Sequence, residues 1–65
     1  MLKCQGKGCA AAVSPSAAEE SSLLIADQIP VWIVRRPERR AKYARRVFGP
    51  RCETCRVRVI KDLRA

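Results

Sequence analysis

Cys-Gln-Gly-Lys-Gly-Cys at residues 4–9 and Cys-Glu-Thr-Cys at residues 52–55 contain all four cysteines of this 65-residue chain. A chain of this length buries too little surface for hydrophobic burial alone to give more than marginal stability. A structural zinc ion supplies folding free energy directly, of order 10 kcal/mol near neutral pH. We therefore expect one domain, residues 1–65, stabilised by a single zinc ion. The predicted ligands are Cys4, Cys9, Cys52 and Cys55.

The first cysteine pair contains glycines of the kind that a metal-binding turn needs. Its two ligands, with four residues between them, can reach one ion only if the chain turns tightly. Gly6 and Gly8 permit the positive φ values and the close backbone approach of such a turn. A flexible glycine-rich terminus is the alternative.

The same cysteines could form two disulfides, as in small secreted domains. The sequence shows no secretory signal and no membrane-spanning run, so we expect a cytoplasmic, reducing location in which the thiols bind metal. A mature secreted chain with a new initiator methionine would also show no signal, so disulfides remain an alternative. Iron–sulfur ligation and unlinked thiols are the remaining ones.

The segment after the first cysteine pair predicts a short strand and then a loop. Residues 10–13 can leave the pair as a strand. Residues 14–22 are small and polar and predict a loop, part of which can be mobile. The competing prediction is a short helix that starts from Ser14 with Pro15 at its first position.

Residues 23–34 are the most strand-like part of the chain, because they are rich in β-branched side chains. Pro30 has no N–H and belongs at the start or edge of a strand. We predict a β-hairpin of residues 22–26 with residues 31–35, and we expect Trp32 to be a core aromatic. The candidate core consists of Val13, Leu23, Leu24, Ile25, Ile29, Val31, Trp32, Ile33, Val34, Val47, Phe48, Val57, Val59, Ile60 and Leu63.

Residues 37–48 predict a short helix. Pro37 suits a first helical position, alanines and Phe48 recur at helical spacing, and residues 49–50 (Gly-Pro) stop the helix. Its apolar face is narrow, so a basic loop that becomes ordered on a partner is the alternative.

A last helix is predicted to begin within the second cysteine pair. Cys52, Cys55, Val59 and Leu63 recur on one face at three- and four-residue spacing. The alternative is a strand after Cys55, as in a zinc ribbon. The fold class that these elements predict is a small zinc-stabilised α+β domain, a β-hairpin plus one or two short helices.

The net charge of +8 belongs to the C-terminal half. Residues 1–34 have two lysines and three acidic residues, whereas residues 35–65 have twelve Lys or Arg and three acidic residues, so the halves carry −1 and +9. Zinc bound by four thiolates would leave about +6 for the whole. This excess predicts an anionic partner.

We expect a nucleic-acid-binding protein that contacts RNA, or the backbone of DNA, through an arginine-rich surface. Ten arginines against four lysines favour bidentate phosphate contacts, and Tyr43 or Trp32 could stack on an unpaired base if exposed. The predicted contact residues are Arg35, Arg36, Arg39, Arg40, Lys42, Tyr43, Arg45, Arg46, Arg51, Arg56 and Arg58. One alternative is a small phage or bacterial regulatory module that binds an acidic surface of a host protein. The other is a solvated basic surface that only keeps the protein soluble.

No catalytic constellation is visible in the sequence. The chain has no histidine, and four cysteines used as zinc ligands leave no open metal position for water. A solvated loop explains Glu19 and Glu20. We expect no enzyme activity, no small-molecule substrate and no membrane partner.

The arrangement of a glycine-bearing cysteine pair, a hairpin and Cys-x2-Cys at the start of a terminal helix resembles a treble-clef zinc finger, with zinc-ribbon proteins as the second resemblance. A narrower resemblance covers residues 45–65 only. It is clearest at residues 45–56, which read Arg-Arg-Val-Phe-Gly-Pro-Arg-Cys-Glu-Thr-Cys-Arg. Residues 45–65 are similar to the second half of the treble clef in a zinc-binding ribosomal protein of the small subunit. This resemblance implies zinc ligation by Cys52 and Cys55 and arginine contacts with ribosomal RNA. In that family the first knuckle lies shortly before the second, whereas 42 residues separate Cys9 from Cys52 here.

Overall fold

A computed structural model of the chain describes residues 1–64. Within this range a two-stranded antiparallel sheet precedes three helices, which confirms the prediction of a small α+β domain. The elements are β1 (Leu2–Lys3), β2 (Ala12–Val13), α1 (Pro15–Ala26), α2 (Pro37–Val47) and α3 (Glu53–Arg64).

The two strands of the sheet lie on either side of the first cysteine pair in the sequence. Leu2 pairs with Val13 and Lys3 pairs with Ala12, so β1 and β2 hold the two ends of the turn together. The strand predicted within residues 10–13 is therefore present. The hairpin predicted for residues 22–26 and 31–35 is wrong, because the first segment lies entirely within α1 and the second begins as a turn.

Helix α1 replaces the loop predicted at residues 14–22. The Ser14 hydroxyl caps the helix by accepting a hydrogen bond from the N–H of Ala17 at 3.2 Å, and Pro15 occupies its first turn. The competing prediction, a helix starting from Ser14, was therefore right about the start. The buried stripe has helical spacing and consists mainly of small side chains: Ala18, Ser21, Ser22, Ile25 and Ala26. Because two of its members are serines, the stretch resembles a polar loop in sequence.

Helices α2 and α3 lie where the sequence predicts helices. At the end of α2, the N–H groups of Phe48 and Gly49 donate to carbonyls of the last turn. Gly49 has φ +66°, the left-handed conformation that glycine adopts easily after a helix. The chain after Cys55 is helical, so the strand expected from a zinc ribbon is absent from residues 53–64.

The larger core cluster lies where α1 packs on α2 and α3. Its buried members are Ile25, Ala26, Ile29, Ala44 and Val59. Several predicted core residues are instead exposed: Leu23, Leu24, Val31, Trp32, Val47 and Val57. The prediction of a core Trp32 is wrong, since this side chain lies in the turn between α1 and α2 and is 80% exposed.

None of the helices in residues 1–64 is long and apolar enough to cross a membrane. The longest have 12 residues, whereas a spanning helix needs about 20 apolar residues.

Candidate metal centre and basic groove

The four cysteines meet at one point of the fold. Their sulfur atoms all lie within 4.8 Å of one another, and the Sγ atom of Cys52 is 3.7 Å from that of Cys4 and 3.8 Å from that of Cys9. Four thiolates at the zinc–sulfur bond length of about 2.3 Å form a tetrahedron with edges of about 3.8 Å. The donor set therefore fits a tetrahedral metal ion. A disulfide bond length of about 2.05 Å is far shorter than these separations, and the four cysteines are unbridged.

The first two ligands are positioned by the turn between β1 and β2. Cys4 follows β1, and its N–H donates to the Ala11 carbonyl at 2.8 Å, which extends the sheet by one residue. Cys9 returns toward the site because its N–H donates to the Gly6 carbonyl at 3.0 Å. Gly8, with φ +74°, supplies the left-handed residue of this turn.

The other two ligands are positioned by the start of α3. Cys52 immediately precedes the helix and its carbonyl accepts the N–H of Arg56, while Cys55 lies in the first turn. The positive end of the helix dipole favours thiolates at this place. A hydrogen bond of 2.8 Å from the N–H of Gln5 to the Pro50 carbonyl joins the two cysteine segments directly.

Gly6 has no side chain, and the sulfur atoms of Cys4 and Cys55 lie where its Cβ would be in contact with them. A Cβ at this residue would lie 2.3 Å from the Sγ of Cys55 and 3.4 Å from the Sγ of Cys4. Gly6 is therefore needed for its small size, whereas Gly8 is needed for its conformation. The sequence predicted both requirements without assigning either to a particular glycine.

The pKa values of the two buried thiols, Cys4 and Cys55, are shifted in opposite directions. Burial of Cys4 disfavours its thiolate, but the N–H groups of Cys52 and Gly6 donate to the sulfur at 3.3 and 3.4 Å, and the pKa falls to about 6. Hydrogen bonds with the neighbouring sulfurs, Cys4 first, raise the pKa of Cys55 to about 12. Adjacent thiolates repel one another, so all four can ionise together only around a cation.

These observations define a class: a small α+β domain with a four-cysteine cluster that could hold a metal ion. The comparisons with known proteins gave no match to a family model, to a curated protein or to a solved structure.

Four of the predicted contact residues come together on one side of α2. Arg39, Lys42, Tyr43 and Arg46 follow one another at helical spacing and line a groove of about 440 Å³ together with Val34. Sequence reasoning did not connect Val34 with this surface. The spacing of the four residues within the predicted helix was the signal that could have identified the groove.

Other predicted contact residues are engaged within the fold. Arg45 makes a bidentate contact with Glu19 of α1, and Arg56 lies 3.9 Å from the carboxylate of Glu20. The two carboxylates therefore belong to interhelix ion pairs and not to a solvated loop. Two further arginines donate to backbone carbonyls, Arg40 to Val34 at 3.3 Å and Arg51 to Phe48 at 2.9 Å.

The remaining predicted contact residues do not line the groove. Arg35 and Arg36 are exposed in the segment that leads into α2, and Arg58 is exposed on α3. Arg58 lines a separate cavity of about 180 Å³ beside the metal centre, together with Lys7, Arg51 and Cys55. Three cations, Lys7, Arg51 and Arg58, and one carboxylate, Asp62, line this cavity, so its lining carries a net positive charge next to Cys55.

Sequence reasoning missed one buried polar contact that supports the site. The Ser21 hydroxyl donates to the Arg51 carbonyl at 2.8 Å and attaches α1 to the residue before Cys52. A serine at a buried helical position carries no metal-site signal in sequence.

Proposed function

We propose that this chain is a zinc-stabilised nucleic-acid-binding protein that contacts the backbone of RNA or DNA. The observation that carries the proposal is the groove on α2, where Arg39, Lys42 and Arg46 make no ion pair within residues 1–64. Cations gathered on one face without carboxylate partners are the electrostatic footprint of a phosphate-binding surface.

The zinc part of the proposal is supported by the donor set. Four cysteine sulfurs at tetrahedral spacing match a structural zinc site, and such a site has no open coordination position for a substrate or a water nucleophile. We therefore assign the metal a role in folding and give the protein no catalytic role. One cysteine pair on a hairpin turn and the other at a helix start is the arrangement of a treble-clef finger, which we propose for this fold.

Native mass spectrometry tests the zinc proposal. We expect one zinc ion per chain and loss of helical circular dichroism when a chelator removes it, because binding free energy is folding free energy in such domains. A chain with two disulfides and no metal would contradict the proposal.

Two variants with equal charge loss test nucleic-acid binding. The groove variant replaces Arg39, Lys42 and Arg46 with glutamine. The control replaces three arginines that have side-chain partners in the fold, Arg45, Arg56 and Arg64.

We expect the groove variant to bind RNA or DNA more weakly, with a salt dependence that falls by about 2 to 3 in the slope of log K against log salt. The control variant should keep most of the slope, since its arginines are engaged within the protein. Equal loss in both variants would show that net charge alone attracts the nucleic acid, and the groove would have no special part.

A protein partner with an acidic surface is the second candidate. It is favoured by Val31 and Trp32, which are exposed by 61% and 80% close to Arg35 and Arg36. Exposed aromatic side chains beside arginines are typical of protein interfaces. A partner that stays bound in stoichiometric amount after nuclease treatment, and is lost in Trp32→Ala, would support this candidate over nucleic acid.

A further inference from the structure

The groove on α2 has the size of a ligand site. Its volume of about 440 Å³ falls within the range of about 300–1,000 Å³ that small-molecule pockets occupy. A surface that only touches phosphates along a strand needs no such depression. The groove can therefore receive a group of the size of a single nucleotide.

The charge of the groove favours an anionic ligand. Three cationic side chains line it and no acidic residue does. The carboxylates that do neutralise arginines, Glu19, Glu20 and Glu53, contact Arg45 and Arg56, neither of which lines the groove. The groove thus keeps three positive charges for a ligand.

The wall of the groove is apolar and partly aromatic. Tyr43 and Val34 are half-buried, and both pack against the core cluster of Ile25 and its neighbours. The carbonyl of Val34 accepts a hydrogen bond from Arg40, which fixes this wall against the start of α2. A supported aromatic ring beside cations suits a ligand with a flat π face and a phosphate.

We propose that the groove binds one unpaired nucleotide of a single strand. Its base lies against Tyr43 and Val34, and its phosphates contact Arg39, Lys42 and Arg46. A base within a duplex is stacked and paired and would have to leave the helix to enter. The protein therefore prefers single strands to duplexes, an inference that rests on the proposed nucleic-acid function and specifies its substrate.

Substitutions of Tyr43 test the stacking contact by fluorescence anisotropy with a single-stranded octamer and with a duplex. Tyr43→Leu keeps an apolar side chain against the core but removes the ring, and we expect about 5- to 150-fold weaker binding of the octamer. Tyr43→Phe keeps the ring and should bind as the native chain does. Duplex affinity should be the same in all three proteins, because phosphate contacts remain.

Ultraviolet crosslinking of the native chain provides a readout that needs no variant. An octamer that contains 5-bromouracil should attach to Tyr43, identified by mass spectrometry of the peptide of residues 43–45. Attachment to Trp32 alone would overturn the proposal, as would native octamer affinity in Tyr43→Leu. In both cases the native chain still binds nucleic acid, so the proposed function stands. Absence of binding to octamer and duplex alike would overturn that function and this inference together.

Discussion

Replacement of Gly6 by alanine tests whether the space beside the sulfurs is needed for metal binding. The new Cβ would lie 2.3 Å from the Sγ and 2.9 Å from the Cβ of Cys55, where ordinary contact begins at 3.4 Å. One of the two residues must move by about 1 Å, whereas metal–ligand distances vary by only about 0.2 Å. The metal geometry and the new methyl group therefore cannot both be accommodated without a shift of the turn.

The expected magnitude follows from the cost of overpacking. An extra methyl group in a filled site costs about 1–3 kcal/mol. Because each 1.4 kcal/mol is a tenfold change, zinc affinity should fall by about 5- to 150-fold. Competition with a chelator of known affinity measures this change, and cobalt substitution reports by its absorption whether the site is still tetrahedral.

Gly8 provides the matched control. A Cβ at this position has no atom within 4 Å, and the residue needs only a positive φ. Asparagine enters the left-handed region more easily than other side chains, so Gly8→Asn should bind zinc more tightly than Gly6→Ala despite its larger side chain. If Gly6→Ala bound zinc as tightly as the native chain, the steric argument would be refuted.

Two further predictions concern α1. Ile25 is fully buried, whereas Leu24 is 42% exposed. Ile25→Ala should therefore lower the free energy of unfolding, measured with denaturant, by about 2–5 kcal/mol, and Leu24→Ala should lower it much less. The reverse order would contradict the helix register. Hydrogen bonds from Arg45 lower the pKa of Glu19 in the folded protein below its ordinary value of 4.5. The ionised carboxylate therefore stabilises the fold above pH 4.5, and this contribution is lost as the pH falls through the lowered pKa of the folded protein. Glu19→Gln should lower the melting temperature at neutral pH but not in strong acid, and equal melting temperatures of the variant and the native chain at neutral pH would contradict the prediction.

The cysteine cluster and the last two helices could be predicted from sequence because their signals are local. Each signal depends on one short segment. The spacing of the cysteines indicates metal ligands, Pro37 indicates the start of a helix, and Gly49 indicates its end. The meeting of residues 4–9 with residues 52–55 followed from chemistry, since one ion needs both pairs.

Helix α1 could not be identified by hydrophobic periodicity. Its close packing uses Ala18, Ser21 and Ser22, while Leu23 and Leu24, its largest apolar side chains besides Ile25, remain about half exposed. Tertiary contacts thus override the β propensity of Ile25, which lies in this helix. The basic groove was not identified because the sequence prediction treated the cations of residues 35–58 as one surface and did not use the spacing of Arg39, Lys42, Tyr43 and Arg46 within α2. Only the contribution of Val34, which lies outside α2, had no local signal.

The separation of the two cysteine segments limits when the proposed metal site can form during synthesis. The first pair gains its partners only after the 42 residues between Cys9 and Cys52 have been made, and a domain generally folds as one unit. Two thiols alone do not complete a tetrahedral site, so the proposed four-cysteine metal centre could form only after Cys55 has been made. A nascent chain that stops short of Cys52 therefore contains only half of the proposed ligand set.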